Sequence, residues 1–113
     1  MININGLEEL DNFLTINKDQ ITMLYFGGKW CKPCEKLKNR LENDETKIEM
    51  PKLISIYIDI DNENNDEICD IYNIKISPSQ IFIKLIDFKV NIIDRIDGYD
   101  WIKLLMTYNN IYN

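Results

Sequence analysis

Histidine is absent from the 113 residues. That excludes the imidazole base of a Ser-His-Asp triad, a Cys-His dyad and the commonest metal ligand. Alanine is missing as well, and with only 4 Gly and 3 Pro each of these breakers is a local landmark. Lys and Arg total 13 against 19 Asp and Glu, a net charge of −6, so the chain lacks the basic face that nucleic acid or an anionic membrane would need in a partner. No apolar run approaches the length of a membrane span. The amino end, Met1-Ile2-Asn3-Ile4-Asn5-Gly6, has neither the basic region nor the apolar core of a secretory leader, and an intracellular, reducing setting is expected.

What is present suits one modest core: 45% of residues are hydrophobic and 11% aromatic, over a length that predicts a single domain spanning 1–113. Asn5 reads as an N-cap with Glu8 completing a capping box, and Leu7, Leu10, Phe13 and Leu14 follow at helical spacing to a stop near Asn17. Ile2 to Ile4 reads as a short strand before it. Ile21 to Phe26 is apolar on both faces, as in a central buried strand, and Gly27-Gly28 ends it. From Cys34, Leu37 and Leu41 mark a helix that fades through Asn43-Asp44 and stops before Pro51. Leu53 to Ile60 reads as a second buried strand running into an acidic turn, Asp61 to Asn65. Ile68, Cys69, Ile71 and Tyr72 form the inner face of a short helix. After Ser77-Pro78-Ser79, two strands, Gln80–Ile86 and Lys89–Ile96, meet in a hairpin at Asp87-Phe88. Gly98 breaks the second, and Trp101, Leu104, Leu105 and Tyr108 line a terminal helix. The alternation predicts an α/β fold: a central mixed sheet of four to five strands, with parallel pairing from the early strands, an antiparallel edge from the hairpin, and helices on both faces.

Between the first long strand and its helix lies Trp30-Cys31-Lys32-Pro33-Cys34. Two cysteines two residues apart can close a small disulfide ring, and Pro33 narrows the backbone shapes open to it. If Cys31 stands at the helix amino end, free N–H groups and the helix dipole favour its thiolate, making it the better nucleophile. A structural disulfide or half of a metal site are the competing readings. Zinc needs four ligands, however, and Cys69 is the only other thiol. Cys69 itself reads as a small core residue, and Asp61 to Asp66 lacks the spacing of a calcium loop.

The ordered set formed by the Cys motif, Asp59-Ile60-Asp61, Ile68 to Ile74, Pro78, the hairpin and Gly98 resembles the thioredoxin family over roughly Ile21 to Tyr108. The resemblance implies the thioredoxin fold and a protein thiol-disulfide oxidoreductase that needs no cofactor or metal. Its partners would be disulfide-containing or dithiol proteins, with an external thiol reductase or oxidase for regeneration. It implies further that Cys31 attacks, that Cys34 resolves, that the two form the redox-active disulfide, that Pro78 is a cis-proline facing them and that Trp30 covers the site on one side. Proline second between the cysteines is the thioredoxin order, whereas glutaredoxins carry it first.

Four residues depart from the family pattern. Lys32 replaces the usual glycine, and a cation there should favour the Cys31 thiolate and a more oxidising pair. Tyr25 stands where the family buries an aspartate that takes the proton of the resolving cysteine, and Tyr57 replaces the lysine that often partners it. Their phenols are expected to hydrogen-bond to each other or to water, leaving Cys34 without its usual base. Ser77 precedes Pro78 where an aliphatic residue is usual, which implies a different preference for substrate side chains. The alternative to an enzyme is a thioredoxin-fold binding or assembly module whose Cys pair is weakly active or structural.

Overall fold

The computed structural model describes residues 1–113, and its organising element is β2 (Thr22–Gly27), buried at every position. Alternate side chains of β2 enter opposite cores, as strand geometry requires. Leu24 and Phe26 join Leu10, Leu14, Ile68 and Tyr72 on one face. Met23 and Tyr25 join Cys34, Leu37, Leu41, Trp101 and Leu104 on the other.

Around it run β1 (Ile2–Asn3), α1 (Leu7–Ile16), α2 (Lys32–Leu41), α3 (Asp44–Glu49), β3 (Ser55–Asp59), α4 (Asp66–Ile71), β4 (Ser79–Ile86), β5 (Lys89–Asp97) and α5 (Trp101–Tyr112). The sheet order is β1-β3-β2-β4-β5. β1, β3 and β2 are parallel, and β4 and β5 antiparallel, so the mixed sheet has five strands with helices on both faces as expected. The hairpin turns at Asp87 and Phe88, both at positive φ, which matches the right-handed twist of the flanking strands.

Several local expectations are corrected. The first helix is capped at Gly6, not Asn5, and no capping box forms. Gly6 has φ 93° and donates its N–H to Asn65 Oδ1 at 2.8 Å, so a residue far along the chain satisfies this helix end. The charged stretch after Leu41 does not merely fade: Asn43 accepts from the Glu45 N–H and starts the separate helix α3. β3 is shorter than the apolar run and only alternately buried, because Ile56 and Ile58 face the core with Leu24 and Phe26 while Ser55, Tyr57 and Asp59 lie on the other, less covered face. Ile71, placed on the inner face of α4, is 56% exposed, because α4 begins with Asp66 and turns only Ile68 and Tyr72 fully inward. No helix is long and apolar enough to cross a membrane.

Candidate active site

The site lies where β2 runs into α2. Cys31 is the N-cap of α2 in extended conformation, and its Sγ accepts the Cys34 N–H at 3.3 Å. Lys32 and Pro33 occupy the first helical turn, where proline's missing N–H costs nothing. Cys31 and Cys34 are joined as a disulfide with Cα atoms 5.1 Å apart. The two sulfurs are unequal: Cys31 is half-buried at the rim, while Cys34 is 2% exposed and packed among Tyr25, Leu37 and Phe82.

The loop before the helix is held from across the sheet. The Lys29 N–H donates to Asp61 Oδ2 at 3.2 Å, and a Cβ on Gly28 would stand 2.8 Å from that same oxygen. Asp61 thus anchors the Cys loop, and only glycine at 28 leaves room for it. Trp30 does not cover the disulfide as expected: it is 93% exposed, because the loop turns the ring to solvent and no neighbour packs on it. Lys32 is exposed as well.

Opposite Cys31 the chain passes through a cis peptide between Ser77 and Pro78. Pro78 is pinned in turn, its carbonyl accepting the Gly98 N–H at 2.7 Å with Gly98 at φ 97°, a conformation that favours glycine. Ser77 approaches Cys31 at two atoms, with its carbonyl oxygen 3.6 Å and its Oγ 3.7 Å from Cys31 Sγ. Beside Ser77 a cleft of about 330 Å³ is lined by Ile60, Ile74 and Ile76 and by the carboxylates Asp66 and Asp70. Cys69 also lines it, half-buried, with its thiol pKa raised by burial and then by those two carboxylates. It is the poorer nucleophile for that reason.

Behind Cys34 the substitutions take a form the sequence did not reveal. Tyr25 is fully buried and donates its hydroxyl to the Cys34 carbonyl at 2.5 Å. Tyr57 donates to the Gly27 carbonyl at 3.5 Å. The phenols therefore do not bond to each other: their rings meet tilted, with centroids 5.6 Å apart, because parallel register puts the two residues side by side. Gly27 makes this possible, since a Cβ there would lie 2.8 Å from the Tyr25 ring. Burial, then the neighbouring phenol of Tyr57, pushes the Tyr25 pKa upward, so Tyr25 stays protonated and is no base at neutral pH. Burial and then Asp59 raise that of Tyr57. A cleft of about 160 Å³ reaches Cys34 between Tyr25, Tyr57, Glu35 and Lys38, with Lys38 Nζ 4.6 Å from the Tyr57 ring centroid. It has room for water. Glu35 and Lys38 were not singled out from the sequence as site residues, and Gly28 and Asp61 were read as the end of a strand and the start of an acidic turn, not as the anchor of the Cys loop. The signals available were the helical spacing of Cys34 and Lys38 and the double glycine before the motif.

The thioredoxin family model matches residues 7–100. The chain belongs to the thioredoxin family. It is a thioredoxin-like thiol-disulfide oxidoreductase whose Cys-x-x-Cys pair is Cys31 and Cys34. Among solved structures it is similar to the thioredoxin of Fasciola hepatica, at 26% identity and a TM-score of 0.81, with 97% of this chain and 98% of the other covered. The thioredoxin of Trichomonas vaginalis matches at 21% identity and TM-score 0.82, covering 98% and 96%. Thioredoxin O2 of Arabidopsis thaliana, in its oxidized state, matches at 20% identity and TM-score 0.78, covering 99% and 94%. The search of curated proteins finds no match.

Proposed function

We propose that this thioredoxin-family chain exchanges disulfides with protein substrates, Cys31 attacking and Cys34 resolving. The observation that carries the assignment is the asymmetry of the pair: Cys31 Sγ sits at a helix amino end, receives a backbone N–H and is reachable, whereas Cys34 is enclosed. In the reduced protein the Cys31 thiolate attacks one sulfur of a substrate disulfide. That S–S bond breaks, and the other substrate sulfur leaves as a thiolate that takes a proton from solvent. Cys34 then loses its proton and attacks Cys31 Sγ, breaking the mixed disulfide. The second substrate thiol departs, two electrons have passed to the substrate, and the Cys31–Cys34 disulfide remains.

An external thiol reductase returns the electrons, or an external oxidase takes them if the flow runs the other way. The free rim around Cys31, with Pro78 and Ser77 on one side and Trp30 exposed on the other, supports a protein segment as substrate. Pro78, Ser77, Lys32 and Pro33 shape the front of the site, and Tyr25 and Tyr57 close its back. A Cys34→Ser variant tests the reading: it should trap partners as adducts reducible by dithiol and mapped to Cys31. Recovery of no such adduct from native extract, with Cys31 still alkylated readily, would overturn the assignment.

A further inference from the structure

Cys31 Sγ meets two kinds of group from the Ser77 segment, and they favour opposite protonation states. The Ser77 carbonyl, 3.6 Å away, can only accept, and so favours a protonated thiol. The Ser77 hydroxyl, at 3.7 Å, can donate, and a thiolate is the acceptor that gains most from it. The hydroxyl has no other partner within hydrogen-bond reach, unlike the neighbouring Ser79 hydroxyl, which is engaged by Ile76 O at 2.6 Å and Asp97 Oδ1 at 2.8 Å. Its freedom to rotate onto the sulfur is kept by a backbone pinned on the far side through Pro78 and Gly98.

We propose that Ser77 is a positioning residue for the reaction, whose hydroxyl donates to the Cys31 thiolate and, by stabilising the reduced form, makes the pair more oxidising. This rests on Cys31 being the nucleophile. The disulfide offers the hydroxyl only a weak acceptor, so the bond strengthens on reduction and its free energy favours the dithiol state. It adds to the Cys34 N–H at 3.3 Å, giving the thiolate one backbone and one side-chain donor. The charged residues on the segments that carry and face Cys31 are Lys29 and Lys32 on its own segment, Glu35 in α2, Asp61 on the loop that anchors residue 29 and Lys75 ahead of Ser77. None is altered in the variants below.

The test uses Ser77→Ala and Ser77→Thr in the full chain. With Cys34→Ser added, the pH dependence of Cys31 alkylation is followed by peptide mapping. In the intact pair, the equilibrium with glutathione is measured. Alanine should raise the midpoint pH of alkylation and shift the glutathione equilibrium toward the protein disulfide by about three- to tenfold, tenfold corresponding to about 30 mV for this two-electron couple. Threonine, which keeps a hydroxyl, should stay near the parent on both measures. The proposal is overturned if alanine moves neither quantity, or if alanine and threonine move both equally, which would locate the effect in the backbone next to Pro78. Alkylation of the parent at Cys34 in preference to Cys31 would overturn the nucleophile assignment itself, and is read from the unmodified chain before either variant.

Discussion

The two sulfurs of one disulfide face different solvents. In front, Cys31 sits at a rim with one backbone donor, a serine hydroxyl and an exposed lysine, where a thiolate can be held. Behind, Cys34 is closed in by two phenols, one tied to its own carbonyl, with Lys38 and Glu35 at the mouth of a narrow cleft. In the proposed mechanism, capture of a substrate and release of it are served by separate environments, and the first is far better furnished than the second. The space behind Cys34 is filled by an aromatic pair, which carries none of the desolvation cost that a buried carboxylate and ammonium would.

The largest change should come from restoring a base behind Cys34. Tyr25→Asp places a carboxylate beside the resolving thiol, and general-base assistance of this kind is worth about tenfold or more in rate. Release of the mixed disulfide, followed by rapid mixing or by dithiol-driven insulin reduction, should accelerate accordingly. The same variant should lose stability by several kcal/mol, about the cost of an unpaired buried charge, read as a lower denaturant midpoint. An unchanged rate would mean that proton removal from Cys34 does not limit release, and the contrast between front and back would lose its kinetic meaning.

The neutral character of the back can be probed by alkali. Tyr25 has a raised pKa, and away from the site Tyr72, in the opposite core, is pushed up to about 12 by burial and then by Asp11, and Tyr112 to about 12 by burial and then by Tyr108. Above the unfolded value of 10.0 the unfolded chain has released these protons while the folded chain still holds them. Stability is therefore full below pH 10 and falls as pH rises, by about 1.4 kcal/mol per pH unit for each group until its folded pKa is passed. Urea titrations between pH 9 and 12 should show this slope, and Tyr25→Phe should remove its own share. A slope identical in Tyr25→Phe would place the ionising phenols elsewhere.

Much of the front was legible in the sequence because short chain segments determine it. A proline two residues past a cysteine, an apolar run ended by glycines and a Ser-Pro-Ser break each constrain their own few residues, and β2, α2 and the hairpin follow, while the cis-proline at Pro78 came from the family resemblance. The features that escaped are joined across long separations. Gly6 is capped by Asn65, the Cys loop is anchored by Asp61, and Tyr25 finds the Cys34 carbonyl instead of Tyr57. In each case a polar group had several possible partners, and only the packed fold chose among them. Trp30 failed differently: the family resemblance implied a cover, but the fold leaves the ring turned to solvent.

The smallest expected effect concerns what little the back retains. Lys38 is one helical turn past Cys34, and its ammonium rests over the Tyr57 ring at 4.6 Å, at the edge of the cleft that reaches the buried sulfur. As Cys34 loses its proton, negative charge grows on a sulfur with no base beside it, and a half-buried cation nearby offsets part of that cost. Lys38→Met keeps the stem and removes the charge, and should slow release of the mixed disulfide about threefold at low salt. Lys38→Arg should hold the parent rate. Because the cleft opens to solvent, the difference should shrink as ionic strength rises toward 1 M, where screening acts over about 3 Å. Capture by Cys31, measured as the rate of adduct formation in Cys34→Ser, should be unaffected by either change. If Lys38→Met slows capture and release alike, the charge acts on the whole pair, and the front and back of this site are electrostatically one.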